Sequence, residues 1–126
     1  MTLPPGVAAL KAVLDGLPGA VGEPWTPPRG SEPLSILYKL RGKMFAVLTL
    51  RGDLYVVVKA PPFVLDVLRE QYQGVGKRTH LDPRHWIALY LDGDVPADEI
   101  AALARGSYDL IREALPAKLR AELDGA

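Results

Sequence analysis

The sequence predicts an α+β fold: an antiparallel β-sheet, a meander plus a late strand, with helices packed on one face. Three observations carry it. Residues 34–60 hold three strand-like runs joined by short glycine-bearing links. Residues 3–17 and 97–115 hold apolar side chains at helical spacing. A lone alternating run at 85–91 falls between two helical patterns.

The first element is a helix over 3–17, where Leu3, Val7, Leu10, Leu14 and Leu17 recur on one face. Pro4 and Pro5 fit its first turn, and Gly16, Pro18 and Gly19 end it. Residues 18–33 carry five prolines and three glycines and read as a connecting segment, with Trp25 packing down onto the core. The runs Leu34–Leu40, Met44–Leu50 and Leu54–Ala60 follow, linked by Arg41-Gly42-Lys43 and Arg51-Gly52-Asp53. Glycine at each link supplies the positive φ that tight hairpins need. In the third run Leu54, Val56 and Val58 alternate with Tyr55, Val57 and Lys59.

Pro61 and Pro62 open a second helix reaching Tyr72, with Val64, Leu65, Leu68 and Tyr72 as its apolar stripe. Residues 73–84 read as a loop containing Lys77, Arg78, His80 and Arg84. The strand at 85–91 sets Ile87, Leu89 and Leu91 against Trp86, Ala88 and Tyr90. After the turn Asp92-Gly93-Asp94, Pro96, Asp98 and Glu99 start a long helix that Pro116 breaks. A single domain over 1–126 is expected, its core at about 3–115 and 116–126 a C-terminal tail that adds a short final turn.

Composition narrows the function classes. The 126 residues carry 15 basic and 15 acidic side chains, so the net charge is zero, which argues against a polycation that coats nucleic acid. The zero is segregated: residues 1–28 sum to −1, 29–91 to +5 and 92–126 to −4. No cysteine is present, which removes disulfides, thiolate metal sites and cysteine nucleophiles. No apolar stretch is long enough to span a membrane, and no basic segment followed by an apolar block opens the chain, so a cytoplasmic protein is expected.

Chemical motifs fare poorly. Gly74-Val75-Gly76-Lys77 lacks the first glycine and the Ser or Thr of a phosphate loop and follows a helix. His80 and His85 do not share a helical face and have no third strong ligand nearby in sequence. Asp92, Asp94, Asp98 and Glu99 lack calcium-loop spacing, and turn and helix-start roles account for them. No serine elbow or catalytic constellation is found, so no enzyme activity, cofactor or metal is expected.

The positive feature is the basic tips. Arg41 and Lys43 on one hairpin, Arg51 on the other, and Lys77, Arg78 and Arg84 in the loop form the candidate phosphate-contacting set. Trp86 and Tyr90 share a strand face that either stacks on bases or covers the core under a helix, the second being expected because large aromatics usually pack.

Four segments, in order, resemble the MmcQ/YjbR-like family of small bacterial proteins: Leu17-Pro18-Gly19-Ala20, Gly42-Lys43-Met44-Phe45-Ala46, Arg84-His85-Trp86-Ile87 and Ser107-Tyr108-Asp109-Leu110. The resemblance covers roughly residues 10–115. It implies a fold similar to that of the bacterial frataxin homologue, of a double-wing type, and a role in DNA binding. Arg84 stands where the family often has lysine, and the Pro24–Pro28 link departs from its pattern. The expected function is therefore a sequence-tolerant DNA-binding module. The alternatives are an adaptor that binds another protein through the exposed sheet face, and a frataxin-like metal role suggested by the fold alone. A monomer is expected.

Overall fold

A computed structural model describes residues 2–76 and 81–125. The chain runs α1 (Pro5–Asp15), β1 (Ala20–Trp25), β2 (Ser35–Leu40), β3 (Lys43–Thr49), β4 (Tyr55–Lys59), α2 (Pro62–Gln71), β5 (Val75–Gly76), β6 (Trp86–Tyr90), α3 (Ala97–Glu113) and α4 (Ala117–Leu123). The strands form one antiparallel sheet in the order β1-β2-β3-β4-β6-β5. The α+β class and the meander with a late strand are as predicted.

The predicted connecting segment at 18–33 contains a strand. Ala20–Trp25 pairs along the whole of β2, with Pro24 opposite Ile36. As an edge strand β1 has a single neighbour, so the N–H that proline lacks is not needed for a second ladder. A two-residue strand also lies within the predicted 73–84 loop.

Pleating sends alternate residues to opposite faces. Ile36, Tyr38, Leu48, Val56, Val58, Ile87 and Leu89 are buried on the face that α1, α2 and α3 cover, where they meet Val7, Leu14, Leu65, Ile100 and Ala104 in one core. β3 contains a bulge: Tyr38 pairs with Ala46 and Lys39 with Met44, leaving Phe45 extra. The bulge turns the Phe45 ring into the core beside Tyr38 and edge-on to Tyr108, with ring centroids 6.1 and 5.4 Å away.

α3 is pinned to the sheet at this bulge. The buried Ser107 hydroxyl donates to the Phe45 carbonyl at 2.6 Å and accepts the Lys59 N–H at 2.9 Å. One place beyond the Ala46–Val58 pair, the hydroxyl bridges groups that a regular ladder would join directly. The neighbouring Tyr108 donates its hydroxyl to the Pro18 carbonyl at 2.5 Å. Two of the other segments behind the family resemblance are thus tied to the fourth, through Ser107 and Tyr108 of α3.

Candidate nucleic-acid interface

The meander dictates where the predicted cations go, because successive hairpins turn at opposite ends of a sheet. Arg41 and Gly42 form the β2–β3 turn, both with positive φ (50° and 84°), the geometry of a two-residue type I′ hairpin. β3 then carries the chain over seven residues to the β3–β4 turn that holds Arg51, a distance of roughly 20 Å at the usual strand rise. Arg41 and Arg51 are therefore not neighbours. β4 returns to the first end, where Lys59 lies opposite Trp86, and β6 starts there just after Arg84. The structure brings Arg41, Lys43 and Arg84 to one end of the sheet, together with Lys59 and Lys39, and leaves Arg51 at the other. Lys77 and Arg78, like His80, lie outside the described residues.

The two ends differ in charge. Arg51 donates to the Glu32 carbonyl at 3.2 Å, among Glu32, Asp53, Asp92 and Asp94 in the turns of that end and Asp98 and Glu99 at the start of α3. Asp94 ties two of these turns together by accepting the N–H groups of Gln73 (3.0 Å) and Gly74 (2.5 Å), which hold its carboxyl below the ordinary range. A side chain at Gly74 would collide with Asp94 and Gly93, so this glycine serves close packing. Tyr72 donates to Glu99, and that bond raises its hydroxyl pKa.

At the basic end, three cations already hold carboxylates. Lys39 pairs with Glu23 at 2.9 Å, Arg41 with Glu122 of α4 at 2.8 Å, and Arg84 with Asp82 at 3.4 Å. The Arg84 side chain is still 81% exposed. Lys43 and Lys59 have no carboxylate partner among the described residues.

The sheet face opposite the helices lies outside the main core cluster, although Val57 and Ala88 at its centre are buried. It carries Val21 and Trp25 on β1, Leu37 and Lys39 on β2, Val47 on β3, Tyr55, Val57 and Lys59 on β4, and Trp86, Ala88 and Tyr90 on β6. Trp25 is 47% exposed, so it does not pack down onto the core. Trp86 and Tyr90 are half-buried here, on the face that no core residue of the helices reaches, and do not cover the core under a helix. Alternation with Ile87 and Leu89 had separated them correctly; which face the helices take is a tertiary choice. Lys59 was legible as a strand residue on the Tyr55–Val57 face, and only its pairing with Trp86 draws attention to it.

Other chemistry is sparse. A hollow of about 130 Å³ between α1 and α3 is lined by apolar side chains and Gly6. Among the described residues no group of three or more His, Asp or Glu could hold a metal ion, and no helix is long and apolar enough to cross a membrane.

Comparison with known proteins agrees with the fold. A Deinococcus radiodurans protein, DR2400, which contains a DUF419 domain, superposes with a TM-score of 0.79 at 30% identity over 94% of this chain and 87% of its own. A Pseudomonas syringae protein shares the fold with a TM-score of 0.57 at 24% identity, over 71% of this chain and 86% of its own. The uncharacterised protein YjbR of Escherichia coli K12 is 35% identical over 65 residues, 52% of this chain and 55% of that protein, so the matched segment spans about half of that relative's length. The model of the YjbR family matches residues 15–110, most of the chain, and the chain belongs to the YjbR family.

Proposed function

We propose that this protein is a nucleic-acid-binding module that uses the basic end of its sheet together with the adjoining open face. The observation that carries this reading is the Lys59–Trp86 pair, a cation without a carboxylate partner among the described residues beside an aromatic ring on the strand face opposite the helices, at the same end as Arg41, Lys43 and Arg84. Phosphates would meet Lys43, Lys59 and Arg84 first, and Arg41 by exchange with Glu122. Arg51, about 20 Å away on the acidic end, takes no part. Phosphate contacts of this kind position a strand without reading its sequence.

The test is fluorescence anisotropy of labelled oligonucleotides at two salt concentrations. About four phosphate contacts predict a roughly hundredfold loss of affinity between about 50 and 200 mM salt, and a nonspecific Kd on the order of 10⁻⁴–10⁻⁶ M near physiological salt. The double substitution Lys43→Glu with Arg84→Glu should abolish binding, and Arg51→Glu should leave it unchanged. Salt-independent binding, or an equal loss with Arg51→Glu, overturns the proposal.

Val21 and Trp25, exposed at 56% and 47% on the edge strand, favour a second reading in which the open face docks a protein. Recovery of a stoichiometric protein partner free of nucleic acid, lost with Trp25→Glu and retained with Lys43→Glu, would select it.

A further inference from the structure

The open face has a relief that says more about its ligand. On β6, Trp86 and Tyr90 stand on either side of Ala88, which is fully buried. Ala88 lies between Val57 of β4, which is also buried, and Gly76 of β5, so the two rings close over a row of small residues and only their outer parts stay accessible. A Cβ at Gly76 would sit 3.0 Å from the Tyr90 ring, so glycine makes room for that ring. Tyr90 leans against Tyr55 with ring centroids 5.7 Å apart and planes tilted by 57°. Along the strand the backbones of Trp86 and Tyr90 are four residues apart, about 13 Å. Lys59 lies beside Trp86 on this face and Arg84 just beyond it, while Lys43, opposite the buried Leu40, belongs to the helix side of the same end.

We infer that the ligand of this face is single-stranded nucleic acid, its unpaired bases stacking on the accessible parts of the Trp86 and Tyr90 rings and its phosphates running toward Lys59 and Arg84. The inference rests on the function proposed above and narrows it. In a duplex each base is stacked on its neighbours and presents edges to a groove, so a protein ring on a strand face has no base plane to meet. Unpaired bases present that plane, and every base has one. The charge pattern points the same way. A rigid duplex laid along the strands would bring phosphates against Asp53, Asp92 and Asp94 at the acidic end, whereas a flexible single strand can leave the face after Tyr90. Ring stacking meets the bases of ribo- and deoxyribo-oligomers alike.

The test compares a thymidine oligomer of about 12 nucleotides, the matching uridine oligomer and a mixed-sequence duplex of the same length at low salt. The Trp25→Phe variant makes Trp86 the sole tryptophan reporter. The expected result is single-strand affinity at least about fivefold above duplex affinity, quenching of Trp86 emission on binding, and deoxy- and ribo-oligomers within about threefold of each other. Trp86→Leu, which keeps apolar bulk without a π-face, should weaken single-strand binding by about five- to a hundredfold and leave duplex binding within about twofold. Thermal melting of that variant confirms that it folds, and Trp86→Phe should restore most of the binding. Duplex binding equal to or tighter than single-strand binding, or single-strand binding without a change in Trp86 emission, overturns this inference while the broader reading stands. Binding of neither oligonucleotide removes both.

Discussion

The two faces of the sheet are built from the same kinds of residue and meet different fates. Ile36, Leu48, Val56 and Ile87 on one face are buried beneath α1–α3, while Leu37, Val47, Trp86 and Tyr90 on the other are left half-covered. A sheet with one helical layer usually solvates its second face with polar side chains. Here the second face keeps an apolar centre and confines its cations to one end. The covered face is explained by stability alone. The open one buries Val57 and Ala88 at its centre and leaves Leu37, Val47, Trp86 and Tyr90 partly accessible around them.

The difference can be tested by mutation. The largest effect is expected from Leu48→Ala on the covered face, which should cost about 2–5 kcal/mol because the core cannot close around the lost side chain. The matching Leu37→Ala on the open face should cost about 1 kcal/mol or less, since water already reaches the site. Urea denaturation measures both, and equal losses would mean that the second face is packed as tightly as the first.

Ser107→Ala probes the link between the faces. It leaves the Phe45 carbonyl and the Lys59 N–H without their partner and should cost about 1–3 kcal/mol. It should also loosen Lys59 on the open side, read as faster hydrogen exchange of the Lys59 amide relative to Val57. An unchanged exchange ratio would show that Lys59 is held by the sheet alone.

The smallest effect is on pH dependence. Burial raises the Asp15 carboxyl pKa, but hydrogen bonds from Lys11 (2.7 Å) and Tyr38 (2.8 Å) and the Lys11 charge outweigh it, so the net pKa is lowered. Tyr38 on the covered face is shifted the opposite way, by burial and then by Asp15. A carboxylate with a lowered pKa in the folded state stabilises the fold fully above the ordinary carboxylate range, and the contribution is lost as pH falls through that range to the lowered value. Stability should therefore decline modestly in acid, and Asp15→Asn should flatten part of the decline. An identical slope in the variant would place the dependence elsewhere, with Asp82 or Asp94.

How much of this was legible depends on the range of the interaction involved. The three central runs, their glycine-bearing tips and the alternation that separates Trp86 from Ile87 are properties of a few consecutive residues. The edge strand at 20–25 was hidden because its prolines speak against a central strand, and only the absence of a second neighbour makes them harmless. Three of the four segments that carry the family resemblance proved to be joined through α3: Pro18 to Tyr108, Tyr108 to Phe45, and Phe45 to Ser107. They identify the fold and say little about the ligand. Of the candidate set, Arg41, Lys43 and Arg84 lie at one end of the sheet, and Arg51, grouped with them because hairpin tips look alike in one dimension, lies at the other.

The sequence by itself determined the α+β class, the order of the helices and of strands β2, β3, β4 and β6, the hairpin tips and the segregation of charge along the chain. Each follows from spacing, turn chemistry and composition within short windows. Only the tertiary structure decided which sheet face the helices cover, where β1 pairs, and that the charge separates end to end along the strands. Those outcomes rest on pairing between residues far apart in the chain. A meander also sends consecutive turns to opposite ends whatever charges they carry.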